Sequence, residues 1–137
     1  MRLYLDANAI IYTIEGIPDF RRAALAWLER AEVAGGAVIT SRLSRLECRV
    51  KPLREGNTEL LDRFESFFAR RLLDLVEVSA QVIEHATELR ATHNFKARDA
   101  IHLASALRSK ADVFLTGDQA LRRCPGLQVE VLTEQRS

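Results

Sequence analysis

The chain has 137 residues, 20 Lys+Arg against 19 Asp+Glu, and a formal net charge of +1. That length predicts one domain able to fold without disulfides, and 47% hydrophobic with 28% charged residues excludes disordered, collagen-like and low-complexity chains. Near-neutrality excludes a coat of basic charge, and the longest apolar run, Ala23–Leu28, is six residues and too short to span a membrane.

Leu3-Tyr4-Leu5 ends on Asp6 and predicts a first strand, followed by a helix over Ala9–Ile14 that stops at Gly16-Ile17-Pro18. Asp19 is placed to cap a second helix, whose apolar face is Phe20, Ala23, Ala24, Trp27, Leu28 and Ala31. Gly35-Gly36 closes it, and Ala37-Val38-Ile39 predicts a second strand. Thr40-Ser41 offers a cap for a third helix running to about Val50, with Pro52 as its breaker and Leu43, Leu46 and Val50 as its apolar face. Leu60, Leu61, Phe64, Phe67 and Phe68 stripe a fourth helix. Leu75–Val78 predicts a third strand, and Val82, Ile83, Ala86 and Leu89 face the core from the next helix. A further, mostly apolar helix covers about Ala97–Leu107. Val113-Phe114-Leu115 predicts a fourth strand, Gln119–Arg123 a short helix, and Val129–Leu132 an edge strand. Short apolar strands alternating with helices specify an α/β domain: a mostly parallel sheet of four to five strands with helices on both faces. Asp6 and Glu15 interrupt the N-terminal apolar stretch, so no signal peptide is expected. Cys48 and Cys124 form no CxxC or Cys/His cluster and read as reduced thiols of a cytoplasmic protein.

The carboxylates carry the chemistry. Of seven aspartates, Asp6 and Asp118 follow predicted strands, where open α/β sheets collect ligands, and Asp99 opens a helix. Each alone also suits a helix cap or turn. Glu47 borders the apolar face of the third helix, where a carboxylate is disfavoured unless paired, protonated or bound to a cation. An ion pair with an arginine elsewhere would also satisfy it. Four carboxylates in one pocket repel each other, so either their pKa values rise or a hard divalent cation sits among them. Oxygen donors without a Cys/His cluster suit Mg²⁺ or Mn²⁺, and the chemistry implied is hydrolysis of a phosphodiester.

The same residues carry a family resemblance. The segment Leu3–Tyr12, with Asp6-Ala7-Asn8, resembles the opening signature of PIN domains. Thr40–Cys48, with Glu47, resembles their second motif; Arg98-Asp99-Ala100-Ile101-His102-Leu103-Ala104 resembles the third, and Leu115-Thr116-Gly117-Asp118 the fourth. All four come in the family's order and span essentially the whole chain, residues 1–137. Length and motifs are most similar to VapC-type toxins of bacterial and archaeal toxin–antitoxin systems. The resemblance implies a Mg²⁺- or Mn²⁺-dependent endoribonuclease, held inactive by a cognate antitoxin and commonly a homodimer. It assigns Asp6, Glu47, Asp99 and Asp118 as the acidic quartet, with Asp6, Asp99 and Asp118 as metal ligands and Asn8 and Thr116 as orienting residues.

Two other classes compete. A phosphotransfer domain with an aspartyl intermediate also places Asp after the first strand, but the haloacid-dehalogenase-like type needs a second Asp where Asn8 stands, and Lys96 and Lys110 are poorly placed. A non-catalytic RNA- or partner-binding module would have no need of the acidic quartet. His102, three residues after Asp99, reads as an imidazole packed in its helix and hydrogen-bonded nearby. Arginine outnumbers lysine 17 to 3, and Arg42, Arg45, Arg49, Lys51 and Arg54 crowd one stretch. Either this is a solvated helix face or it steers an RNA backbone toward the acidic residues. With the quartet set aside, 20 basic residues face 15 acidic ones, so the remaining surface is moderately basic.

Overall fold

The apolar bursts become five parallel strands: β1 (Arg2–Leu5), β2 (Ala37–Ser41), β3 (Leu73–Val76), β4 (Val113–Thr116) and β5 (Val129–Val131). The computed structural model describes residues 1–132. Strand order is β3-β2-β1-β4-β5, so the chain builds outward from β1 on one side and then returns to add β4 and β5 on the other. Register is set by pairs such as Tyr4 with Ile39 and with Phe114.

Alternation along β1 divides the core. Leu3 and Leu5 face α1 (Ala7–Glu15), α2 (Pro18–Glu32), α3 (Arg42–Glu55) and α4 (Thr58–Phe68), with Leu28, Phe64 and Phe67 buried against them. Tyr4 points the other way, into a second core with Phe114, Leu103 and Phe95 beneath α5 (Ala80–His93) and α6 (Ala97–Arg108). Helices on both faces explain why the central strands are apolar throughout. No helix among the described residues is long and apolar enough to cross a membrane.

Several boundaries differ from the sequence expectation. Helix α1 begins two residues earlier because the Asp6 side chain accepts from the Ala9 N–H at 2.9 Å. Asp19 does not cap α2: Ile17 holds that position, Pro18 starts the helix, and Asp19 lies in the first turn beside Arg22. Pro52 does not break α3, which runs on to Glu55 and ends at Gly56 in the left-handed region, φ 65°. Pro52 is itself buried, and its carbonyl accepts from the Asn57 N–H at 2.9 Å.

The inward face of α3 is also different. Ser44, Cys48 and Pro52 are buried, whereas Leu46, Val50 and Leu53 are 58%, 40% and 60% exposed. Strand β3 lies two residues before its expected place, since pairing of Val38–Ser41 with Leu73–Val76 sets its limits, and Val78 falls outside. Ile83, expected in the core, is on the surface of α5.

Candidate active site

The order of strands changes direction between β1 and β4, and the carboxyl ends of these neighbours open the crevice where α/β sheets bind ligands. Asp6 leaves β1 at this point and is buried. Its Oδ1 accepts from the Ala9 N–H, and its Oδ2 accepts from the Thr116 hydroxyl at 2.5 Å. Thr116, fully buried at the end of β4, uses the same oxygen to accept from the Asp118 N–H at 3.1 Å. One threonine therefore ties together the two strand ends that carry acidic residues. Asp118 is exposed, and its Oδ1 caps the following 3₁₀ turn through the Ala120 N–H at 2.9 Å.

Gly117 lies between these anchors because nothing larger fits. A Cβ there would stand 2.5 Å from Cε2 of Tyr12 and 3.0 Å from Oδ1 of Asn8, and the Tyr12 ring is stacked on Phe20 with centroids 4.8 Å apart. Gly117→Ala is expected to destabilise the fold by about 1–3 kcal/mol through overpacking and to displace Asn8, as read by urea denaturation. An unchanged denaturation midpoint would show that Tyr12 swings aside freely.

Asp99 enters from the first turn of α6 and Glu47 from the middle of α3. Asp6, Glu47, Asp99 and Asp118 line one cavity of about 280 Å³, together with Asn8, Arg98 and His102. Burial pushes the Asp6 carboxyl above its ordinary pKa, and the Asp99 charge adds to this, against the pull of His102, Thr116 and the Ala9 N–H. Burial raises Asp99 as well; repulsion from Asp118 adds to this, and the charges of Arg98, His102 and Lys96 offset it only in part. Carboxylates this near to one another are better stabilised by a cation than by water. Among the described residues, no three His, Cys, Asp or Glu side chains close into a preformed coordination shell. The donors are nonetheless of the kind a hard cation requires: each Asp6 oxygen has two lone pairs and uses one of them internally.

Among the described residues Glu47 pairs with no arginine. Its Oε1 lies 2.7 Å from Nε2 of His102, and Nδ1 of His102 lies 2.7 Å from the Tyr4 hydroxyl. The imidazole is packed and hydrogen-bonded as the sequence suggested, but its partner is a member of the acidic set. The three-residue spacing from Asp99 was the available signal. Burial also pushes the Tyr4 hydroxyl well above the ordinary tyrosine range. The basic face of α3 is largely answered from within the chain. Arg42 pairs with Glu77, and Arg45 and Arg49 both pair with Glu65. Arg98, absent from the sequence-based candidates, is the cation that lines the acidic cavity itself.

A family model for the PIN domain matches residues 3–127. The chain belongs to the PIN domain family. No curated protein matches it in sequence. Solved structures do resemble this PIN domain. VapBC2 from Rickettsia felis, bound to a DNA fragment from its promoter, aligns with a TM-score of 0.77 and 19% identity over 97% of this chain and 100% of that one. A toxin–antitoxin complex from Klebsiella pneumoniae aligns with a TM-score of 0.71 and 21% identity over 98% and 100%. VapC20 of Mycobacterium tuberculosis, a sarcin-ricin loop cleaving toxin, gives 0.69 and 14% over 87% and 92%. The fold is thus that of VapC-like PIN toxins, with the four acidic positions set around one cavity.

Proposed function

We propose that this PIN domain is a Mg²⁺- or Mn²⁺-dependent endoribonuclease, the cytoplasmic toxin of a toxin–antitoxin pair. The observation that carries this reading is the convergence of Asp6, Glu47, Asp99 and Asp118 on one cavity at the β1–β4 switch point. Asp6, Asp99 and Asp118 would hold the cation, which when bound supplies Lewis acidity toward a phosphate and an acidified water. Thr116 and the Ala9 N–H hold the two Asp6 oxygens in fixed directions. Asn8 borders the cavity beside Gly117, where it orients groups entering from solvent. Glu47 lines the cavity with one oxygen held by His102, which leaves the second free to accept a proton or a water. Arg98 supplies the positive charge that attracts an RNA phosphate to an otherwise acidic opening.

The apolar strip of Leu46, Val50 and Leu53, flanked by Arg42, Arg45 and Arg49, supports a protein partner on α3, an antitoxin or a second copy of the chain. The three arginines would also contribute to RNA steering, but with less free charge than Arg98 because Glu65 and Glu77 offset them. The test is incubation of purified protein with total RNA and Mn²⁺, followed by mapping of new RNA ends. Cleavage that vanishes with a chelator supports the reading; intact RNA in the presence of Mn²⁺ overturns it. Measured against salt, Arg98→Ala is expected to flatten the log–log slope of RNA binding by about one, and Arg45→Ala/Arg49→Ala by less. Equal slopes for all three proteins would remove these arginines from RNA binding.

A further inference from the structure

A chain of three side chains from three different elements runs from the core to the acidic cavity. Tyr4 lies in the middle of β1, two residues before Asp6; His102 lies one turn after Asp99 on α6; Glu47 projects from α3. Tyr4 is fully buried and stacks on Phe114 with centroids 5.1 Å apart and planes 11° apart, so its hydroxyl has a fixed position. His102 is only 2% exposed and meets the Tyr4 ring edge-on. Both imidazole nitrogens are engaged at 2.7 Å, one on the tyrosine and one on the glutamate.

The proton positions along this chain follow from its ends. A carboxylate only accepts, so Nε2 carries the hydrogen whenever it bonds Glu47. In a neutral imidazole Nδ1 is then the acceptor, and a tyrosine hydroxyl at neutral pH is the donor that matches it. We infer that Tyr4 and His102 are positioning residues for Glu47: the Tyr4 O–H donates to Nδ1, which fixes the Nε2–H tautomer and holds one Glu47 oxygen on the imidazole, leaving the other free. Without the Tyr4 donor, the opposite tautomer would set the Nε2 lone pair against the carboxylate. Among the described residues neither Glu47 nor Asp99 has a backbone N–H or hydroxyl to orient it, whereas Asp6 and Asp118 both do; of the two, only Glu47 is held by a side chain, the His102 imidazole. The Tyr4–His102 pair supplies that missing support.

The value of this arrangement for catalysis rests on the proposed nuclease reading; the tautomer does not. In the metal-free protein at neutral pH, nitrogen-15 NMR of the imidazole is expected to report a neutral Nε2–H tautomer for His102, and Tyr4→Phe is expected to give a mixture of the two. A neutral Nδ1–H form, a doubly protonated ring, or an unaltered tautomer in Tyr4→Phe would overturn the inference. In cleavage assays, His102→Gln keeps an amide N–H where Nε2–H lies, whereas His102→Asn falls one methylene short. Loss of an outer support typically costs about 10–100-fold in activity. His102→Asn is expected to lose that much in kcat with KM for RNA unchanged, and His102→Gln to recover most of it. Equal loss in both variants would assign His102 to packing alone. If the wild type cuts no RNA, the nuclease reading fails while the NMR comparison still decides the tautomer.

Discussion

Asp99→Asn is expected to abolish Mn²⁺-dependent RNA cleavage, a loss well beyond the roughly 100-fold that removal of an outer support produces, while the protein stays folded. The substitution keeps the size of the side chain and removes the negative charge that Asp6, Asp99 and Asp118 together offer a cation. Asp6→Asn should be equally inactive, for a more stringent structural reason. Asn caps a helix about as well as Asp, so the bond to the Ala9 N–H that starts α1 survives. The Thr116 hydroxyl can then turn to accept from the new amide in place of donating to Oδ2. The fold is preserved on both counts, and the loss reports the carboxylate alone. Asp118→Asn is expected to cost less, because Asp118 is exposed and its Oδ1 already caps the turn at Ala120. Cleavage rates with RNA, taken beside thermal unfolding of each variant, provide the check. A well-folded Asp99→Asn protein that cuts at the wild-type rate would remove Asp99 from the reaction.

What the sequence made legible is local. Apolar bursts of three or four residues located β1, β2 and β4, because a strand buried on both faces must be apolar throughout. The acidic residues at the ends of β1 and β4 pointed to the switch point for the same reason, since the site is set by where strands stop. The face of α3 was not legible. Periodicity groups Leu43, Leu46 and Val50 on one side, but it does not say which side turns inward, and the helix buries Ser44, Cys48 and Pro52 instead. Nor was the pairing of its charges. Glu47 finds His102 55 positions along the chain, and Arg45 finds Glu65 20 positions along, distances over which only the assembled fold decides who meets whom. The limits of β3 were missed on similar grounds, its ends being fixed by partners on β2.

Asp6 and Asp99, the ligands proposed for the cation, are costly to bury without it, and this has a sign that can be measured. Both carboxyls have pKa values raised above the ordinary range in the folded state, chiefly by burial, so the folded protein holds their protons more tightly than the unfolded chain. Stability then falls as pH rises from about 4, the unfolded value, through the folded values, and is regained as pH is lowered through the same window. At neutral pH the metal-free protein bears this cost in full. A cation relieves it by binding the folded state alone, adding about 2.7 kcal/mol at a hundredfold excess over Kd, which for a domain of this size raises Tm by on the order of 10 °C. Asp99→Asn should lose most of the Mn²⁺-induced rise and, without metal, should melt at or above the wild-type temperature at pH 7. The comparison of two proteins at each pH cancels groups of opposite sign, such as Glu77, whose carboxyl the Arg42 hydrogen bond lowers. The Mn²⁺ effect should also shrink as pH falls toward the raised carboxyl values, where protons compete for the same oxygens. A wild-type Tm indifferent to Mn²⁺, or an Asp99→Asn variant with the full wild-type shift, would place the cation somewhere other than this cavity.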